Sequence, residues 1–359
     1  MGLNAVAKTD EVIIRREGRA GRITMNRPQA LNALTYAMVG EIWRALRAWT
    51  EDPEVQLVIL DGAGERGLCA GGDVRAMYDS APQGSAFARR FWAEEYRLNA
   101  LIGRFRKPFV AFMDGIVMGG GIGLSGHASH RIVTEKSQLA MPETGIGLIP
   151  DVGGTWLLAH APGETGTYLG LVGERMRGAG TIFARFADAF VPSARLPELA
   201  LKLAQPGGGE VDSIIQRFAE APPPSDLASH AAQIDQTFCF DSVEAIRDTL
   251  AARDGEWAAK ALSELDRRSP LALKLTLAAV RNARTLPALE AALNVEYRLT
   301  TRLFEHGEFI EGVRALLVDK DKSPKWNPPR LEEVSAETVE AFFAPLPPGE
   351  ELGLEAPRT

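Results

Sequence analysis

Glycines are concentrated at the ends of apolar runs in this chain of 359 residues, which contains 35 of them. The three clusters are Cys69-Ala-Gly-Gly-Asp73, Met118-Gly-Gly-Gly-Ile-Gly-Leu124 and Asp151-Val-Gly-Gly154. Each cluster precedes a predicted helix, so the backbone there can approach a ligand closely and offer unpaired N–H groups. Two such N–H groups that converge on one oxygen atom would form an oxyanion hole.

Strand and helix patterns alternate over the first 200 residues. The apolar run Leu57–Leu60 and the run Pro108–Val117 suit strands that are buried on both faces. Helices are predicted from near Thr35 and from about Phe87 to Phe105, where apolar residues recur with helical spacing. This alternation predicts an α/β fold.

The second half of the chain has a different pattern, which is almost entirely helical from Asp241 to Leu317. The segment after about Phe343 is rich in proline and glutamate, a composition typical of disorder. We therefore predict a core at residues 1–200, a helical region at 201–345 and a disordered tail at 346–359.

Composition limits the classes of function. The net charge of −7 argues against a nucleic-acid-binding protein, and no apolar stretch is long enough to span a membrane. The two cysteines, Cys69 and Cys239, exclude a disulfide scaffold and a site with several cysteine ligands. Because the N-terminus lacks the pattern of a signal or transit peptide, we expect a cytoplasmic protein.

The spacing of residues argues against two further kinds of site, a dinucleotide-binding site and a metal site. Gly121-Ile-Gly-Leu-Ser-Gly126 matches a dinucleotide-binding fingerprint, but too few residues separate it from the next strand for a crossover helix. His127 and His130 lie three residues apart but have no nearby third ligand, so we predict no metal site. Cys69 has no evident histidine partner and is interpreted as a small packing residue.

Four segments resemble those of the crotonase (enoyl-CoA hydratase/isomerase) superfamily and occur in that family's order. The resemblance implies a core of stacked ββα turns with helices appended at the C-terminus. It also implies that the chain binds an acyl-coenzyme A substrate. The four segments are Met25–Leu34, Cys69–Asp73, Gly115–Gly121 and Met141–Pro150.

The same resemblance assigns roles to backbone groups. The first segment resembles a coenzyme A loop, and we predict contacts from Gln29, Ala30 and Leu31. The second and third segments resemble oxyanion-hole loops, whose donors would be the N–H groups of Gly72 and Gly120. Asp73 is interpreted as the N-cap of the helix that follows its loop.

Departures from the family pattern indicate a particular branch. Hydratases of the family carry two catalytic glutamates, and Gly123 stands at the position of the first, while Glu143 corresponds to the second. Asp151 stands where hydratases usually have glycine. These features resemble the branch that hydrolyses short 3-hydroxyacyl-CoA thioesters in valine catabolism, as do Glu94–Asn99 and Glu311–Ala315.

The resemblance implies that Glu143 attacks the thioester carbonyl or activates a water molecule. Asp151 would orient Glu143, the water or the substrate, and Glu95 would bind the substrate's 3-hydroxyl group. Structural alternatives stay open: Glu143 as a solvated loop residue, Asp151 as a helix N-cap and Glu95 as a solvent-facing helix residue.

We thus predict a thioester hydrolase that needs no separate cofactor, because coenzyme A is part of its substrate. One alternative is an enoyl-CoA hydratase or isomerase that uses Glu143 alone. Another is a non-catalytic acyl-CoA-binding protein. A homo-oligomer is possible, since members of the superfamily often form trimers.

Overall fold

The computed structural model describes residues 9–355. These residues form two compact units, one comprising 9–72, 97–139 and 176–228, the other 73–96, 140–175 and 229–355. The observed units alternate along the chain, whereas the sequence analysis placed one boundary near residue 200. Residues 1–8 at the N-terminus and the last four residues of the predicted tail lie outside the described part.

Strands and helices are numbered in chain order. The strands are β1 Val12–Glu17, β2 Ala20–Met25, β3 Leu57–Gly62, β4 Phe109–Met113, β5 Ile116–Met118, β6 His130–Val133, β7 Gln138–Ala140 and β8 Ala189–Phe190. The helices are α1 Tyr36–Glu51, α2 Val74–Ser80, α3 Ala86–Gly103, α4 Gly120–Ser125, α5 Gly154–Ala159, α6 Thr165–Val172, α7 Gly178–Phe183, α8 Leu196–Ala204, α9 Val211–Gln216, α10 Asp226–Ser229, α11 Ala231–Phe238, α12 Val243–Ala251, α13 Glu256–Leu265, α14 Pro270–Ala283, α15 Leu289–His306, α16 Glu308–Val313 and α17 Ala336–Phe343.

A six-stranded sheet with the order β1-β2-β3-β4-β6-β8 organises the first unit. The pair β1–β2 is antiparallel, and the other pairs are parallel. Apolar side chains on one face of the sheet, including Ile59 and Val110, pack with residues of α8 and α9 such as Leu203 and Ile214. This arrangement confirms the α/β fold predicted from the alternating pattern.

The apolar run Pro108–Val117, predicted as one strand, forms the two strands β4 and β5. Gly115 lies between them with a φ of +64°, a left-handed conformation that favours glycine. The chain therefore turns there, and β5 pairs with β7 in a separate two-stranded sheet. Hydrophobicity alone does not reveal this break, because both strands are apolar.

The second unit is mainly helical, and α14 is at its centre, in contact with α5, α6, α15 and α17. Ser269 caps α14 by accepting a hydrogen bond of 3.0 Å from the N–H of Ala272. Pro270 follows in the first turn, where its missing N–H costs nothing. These two residues therefore define the start of α14.

The tail predicted to be disordered is instead anchored to α15 as far as residue 355. Leu352 is buried, and the carboxylate of Glu351 accepts from Arg298 at 3.0 Å. Asn294 exchanges two hydrogen bonds with the backbone of Leu354. Composition suggested disorder, but these long-range contacts supply the ordering energy that the local sequence lacks.

Among residues 9–355, no helix is both long and apolar enough to cross a membrane.

Candidate active site

Two glycine loops of the first unit lie side by side, and they lead to Gly72 and Gly120. The N–H of Cys69 donates to the carbonyl of Ile116 over 3.2 Å, and the N–H of Met118 donates to the carbonyl of Cys69 over 3.0 Å. Within residues 9–355, the N–H groups of Gly72 and Gly120 donate to no protein acceptor. Both can therefore bind an oxygen atom of a ligand.

Close backbone approach explains why this region contains consecutive glycines. A Cβ atom at Gly121 would overlap the carbonyl group of Cys69. Gly119, the N-cap of α4, has a φ of +46° and a ψ of −120°, which side-chain-bearing residues rarely adopt. Gly123 is buried within α4, so this helix supplies no carboxylate at the position where hydratases have one.

The predicted coenzyme A residues lie on a short 3₁₀ turn, Pro28–Ala30, and on Leu31, which has a φ of +52°. The sequence analysis did not single out Asn32, the buried residue that organises this loop. Its amide donates to the carbonyls of Ala63 and Gly67 at 3.0 and 2.9 Å, and its oxygen accepts from the N–H of Arg27 at 2.8 Å. The one indication of this role in the sequence is the asparagine itself, since asparagine tolerates the left-handed backbone conformation that Asn32 adopts.

Three carboxylates predicted to be functional are buried in the second unit. Glu95, Glu143 and Asp151 are 2%, 5% and 5% exposed. Burial excludes the solvent-facing alternative for Glu95 and the solvated-loop alternative for Glu143. One oxygen of each glutamate, Oε1 of Glu95 and Oε2 of Glu143, has no hydrogen-bond partner among the described residues. A buried carboxylate oxygen without a donor is costly, so both atoms are available to a ligand or water.

The three groups interact electrostatically. Burial raises the pKa of Asp151 to about 6, although the hydrogen bond from the hydroxyl of Tyr96 lowers it. Burial also raises the pKa values of Glu95 and Glu143 well above the usual range, and the charge of Asp151 raises both further. The charge of Asp151 therefore disfavours ionisation of both glutamates. The sequence analysis missed the role of Tyr96, which follows Glu95 directly.

Glu143 begins a 3₁₀ turn, Glu143–Ile146, that packs tightly against its surroundings. The buried guanidinium of Arg268 donates to the carbonyl of Val172 at 2.6 Å, and a Cβ at Gly145 would overlap its Nη1 atom. At the other end of the turn, a Cβ at Gly312 would overlap the carbonyl of Ile146. The glycine in the C-terminal segment Glu311–Ala315 therefore allows α16 to approach the turn that carries Glu143.

Asp151 is not the N-cap of the following helix, so that alternative is wrong. Gly153 occupies the N-cap position of α5, and the carboxylate of Asp151 accepts from Tyr96 instead. Glu296 on α15 accepts from the N–H groups of Gly153 and Thr155 at 2.7 and 2.9 Å. Burial raises the pKa of Glu296 to about 8, although the hydrogen bond from the Thr155 hydroxyl lowers it. No local motif indicates a partner so distant in sequence.

Asp73 and Cys69, which were also named from the sequence, make contacts with the backbone of their own loop and helix. Asp73 caps α2, because its Oδ1 atom accepts from the N–H of Ala76 at 3.1 Å, as predicted. Cys69 is buried, with its sulfur 3.5 Å from the carbonyl oxygen of Gly71. In the described part of the chain, no group of three or more His, Cys, Asp or Glu residues is arranged to hold a metal ion.

The fold and the glycine loops that lead to Gly72 and Gly120 agree with one family of proteins. A sequence model described as enoyl-CoA hydratase/isomerase matches residues 20–343. The chain therefore belongs to the enoyl-CoA hydratase/isomerase family, and the family predicted from the sequence is confirmed.

Individual relatives are similar over nearly the whole chain. The mitochondrial 3-hydroxyisobutyryl-CoA hydrolase of Gallus gallus is 42% identical over 94% of this chain and 89% of its own. A solved structure of a carnitinyl-CoA dehydratase from Mycobacterium thermoresistibile is 45% identical, with a TM-score of 0.92 and coverage of 97% of this chain and 100% of its own. An enoyl-CoA hydratase from Rhodobacter sphaeroides is 46% identical, with a TM-score of 0.91 and coverage of 96% and 100%.

The relatives overturn the predicted cytoplasmic location. The hydrolase from Gallus gallus and seven further vertebrate proteins of that name, 38–41% identical, are all named as mitochondrial. The prediction was wrong because it rested on the absence of a recognised N-terminal pattern, and such an absence does not define a compartment.

Proposed function

We propose that this protein hydrolyses the thioester of 3-hydroxyisobutyryl-CoA to 3-hydroxyisobutyrate and coenzyme A, a step of valine catabolism. The observation that carries the proposal is the buried pair Glu143 and Asp151, in which one oxygen of the glutamate has no donor among residues 9–355. Relatives named 3-hydroxyisobutyryl-CoA hydrolase support the substrate and the reaction. The resemblance that led to this function from the sequence therefore agrees with the names of these relatives.

In the proposed reaction the N–H groups of Gly72 and Gly120 stabilise the negative charge that develops on the thioester oxygen. One well-placed donor of this kind contributes about 3 kcal/mol to transition-state stabilisation. Gly120 is the first residue of α4, so the helix N-terminus adds a favourable potential for an anion. The residues Gln29, Ala30 and Leu31 would contact the coenzyme A portion.

Glu143 would act by one of two routes. In the first, its carboxylate oxygen bonds to the carbonyl carbon, the carbon–sulfur bond breaks and the thiolate leaves. Water then opens the mixed anhydride, which restores Glu143 and releases the acid. In the second, Glu143 takes a proton from a water molecule whose oxygen bonds to the carbonyl carbon. The carbon–sulfur bond then breaks, and the proton on Glu143 passes to the leaving thiolate. Asp151 would orient Glu143 or the water in both routes.

Glu95 would provide specificity for the 3-hydroxyl group. Its unpartnered Oε1 atom is buried, so a substrate hydroxyl that donates to it would remove an energetic cost. Burial and the charge of Asp151 raise the pKa of Glu95, so its protonated form could equally donate to the hydroxyl oxygen. A substrate without the hydroxyl would leave this group unpaired.

Hydration of an enoyl-CoA is the second candidate, because two solved relatives are titled as a dehydratase and a hydratase. Gly123 weighs against it, since water addition in the family uses a second glutamate at this position. A non-catalytic acyl-CoA-binding protein is a third possibility. Buried carboxylates with one oxygen unpartnered among the described residues, as in Glu95 and Glu143, are not needed for binding alone, which weighs against that reading.

One assay separates the three. Thiol release from 3-hydroxyisobutyryl-CoA is followed with a thiol reagent, and crotonyl-CoA is tested in parallel for loss of its conjugated absorbance. We expect thiol release that falls by about 10²–10⁴-fold in Glu143→Ala. The Glu290→Gln variant, which changes a buried glutamate of α15 outside the proposed machinery, should retain it. Hydration of crotonyl-CoA without thiol release would favour the hydratase, and neither reaction would favour the binding protein.

Formation of a homo-oligomer stays a prediction. Measurement of the mass in solution by light scattering tests it directly.

A further inference from the structure

The turn that carries Asp151 has an unfavourable backbone conformation. Val152, a β-branched residue, has a φ of +55°, and Gly153 has a φ of +79°. Left-handed conformations are costly for residues with a branched side chain and persist only where the surroundings impose them. The helix that follows, α5, begins at Gly154, and its N-cap Gly153 has no side chain to bond the free N–H groups.

Glu296 supplies the missing acceptors from a distant part of the chain. It is completely buried on α15, and its two oxygens accept from different N–H groups of the turn. Oε2 accepts from Gly153 at 2.7 Å, and Oε1 accepts from Thr155 at 2.9 Å and from the Thr155 hydroxyl. The carboxylate therefore spans the start of α5 and fixes the residues directly after Asp151.

We propose that Glu296 is a positioning residue that holds the Asp151 carboxylate in its working place by fixing the Val152–Gly153 turn. This inference rests on the proposed function of Asp151. Asp151 is then held twice: its carboxylate accepts from Tyr96 at 2.6 Å, and its backbone is followed by the turn bonded to Glu296. Without Glu296, the strained turn can relax and displace Asp151, while groups that bind coenzyme A stay unchanged.

The test compares Glu296→Gln with Glu290→Gln. Both substitutions remove a buried carboxylate of α15, but only the first places an amide NH₂ group against the N–H groups of the turn. We expect kcat for thiol release to fall at least about tenfold in Glu296→Gln, with KM within about twofold of the wild type, because small displacements at a reacting centre mainly affect the chemical step. Glu290→Gln should keep both constants close to the wild type.

Hydrogen exchange provides a readout that does not depend on activity. At least one of the amides of Gly153 and Thr155 should exchange faster in Glu296→Gln than in Glu290→Gln, because glutamine keeps one accepting oxygen and presents its NH₂ group to the other amide. If the wild type releases no thiol, the proposed function fails, while faster exchange still supports the role of Glu296 in holding the turn. Unchanged exchange, or an unchanged kcat in an active enzyme, overturns the inference.

A milder variant covers the case in which Glu296→Gln does not fold. Thr155→Val removes only the hydroxyl that donates to Glu296 and keeps the N–H bond. Thr276→Val serves as its control, because it removes a buried hydroxyl that has no partner among the described residues. We expect kcat to fall about threefold in Thr155→Val and to be unchanged in Thr276→Val, as loss of one hydrogen bond is modest. Equal kcat values for the two variants contradict the inference.

Discussion

The hydroxyl group of Tyr96 lies 2.6 Å from the Oδ2 atom of Asp151, and both residues are buried. The Asp151 carboxylate accepts this hydrogen bond, which favours its ionised form. The same hydroxyl lies 3.4 Å from the Oγ1 atom of Thr300. Tyr96 on α3 thus contacts both Asp151, the residue that we propose to orient Glu143, and Thr300 on α15.

Tyr96→Phe should shift the pH dependence of activity. Loss of the hydroxyl removes a bond that lowers the pKa of Asp151, so this pKa should rise from about 6. If Asp151 acts as an anion, the acid limb of the kcat/KM profile moves to higher pH. At neutral pH we expect a loss of about tenfold, the size expected for one hydrogen bond to a charged group. A profile with an unchanged acid limb would argue against an ionised Asp151.

Glu143→Gln should abolish thiol release and stabilise the protein at neutral pH. Burial raises the pKa of Glu143 in the folded state above its ordinary value of 4.5, so the folded state binds the proton more tightly than the unfolded state. Ionisation of the unfolded chain therefore reduces stability as pH rises above about 4.5. The neutral amide avoids this cost.

Thermal unfolding of Glu143→Gln and the wild type across pH 4 to 8 checks this prediction. The Tm of the variant should exceed that of the wild type at pH 8, and the difference should shrink towards pH 4. A lower Tm at every pH would mean that packing of the carboxylate outweighs its electrostatic cost.

Gly312→Ala should destabilise the protein more than Gly145→Ala. The new methyl group at position 312 would overlap backbone atoms of Ile146, whereas the one at position 145 would meet the end of the Arg268 side chain, which can move. We expect a loss of about 1–3 kcal/mol in the free energy of unfolding for Gly312→Ala. Alanine normally favours a helix such as α16, so a loss there must come from the overlap.

Denaturant unfolding of the two glycine variants measures this difference, and thiol release measures its effect on Glu143. Both variants should reduce kcat, because each neighbour contacts the turn Glu143–Ile146. Equal stability of the two variants would show that α16 can move away from the turn without cost.

Asn32→Asp should weaken binding of the acyl-CoA substrate and leave the chemical step nearly unchanged. The substitution keeps the oxygen that accepts from Arg27 but replaces the NH₂ group that donates to the carbonyls of Ala63 and Gly67. Loss of these bonds should release the loop with Gln29 and Leu31, so KM should rise about tenfold while kcat stays within about twofold. Steady-state kinetics check this, and a fall in kcat at unchanged KM would contradict the proposed role of the loop.

The glycine clusters and the carboxylates could be predicted from the sequence because each belongs to a local motif. Gly72, Gly120, Glu143 and Asp151 all stand in short segments that resemble those of the crotonase superfamily. The apolar run Leu57–Leu60 also locates β3 correctly. The break at Gly115 escapes the pattern, since hydrophobicity continues across it.

The residues that hold the site together could not be predicted in this way. Glu296 contacts residues about 140 positions earlier in the chain, and Arg268 donates to a carbonyl 96 positions earlier. Both are charged residues, for which solvent exposure is the usual expectation. Their burial depends on tertiary packing, which the local pattern does not encode.

The helix α15 connects the end of the described chain with the proposed chemistry. Asn294 and Arg298 bond Leu354 and Glu351, and Glu296 between them bonds the turn after Asp151. Truncation of the chain before residue 346 would remove two anchors of this helix within one turn of Glu296. Engineered versions of the enzyme should therefore retain this segment, although none of its residues is proposed to touch the substrate.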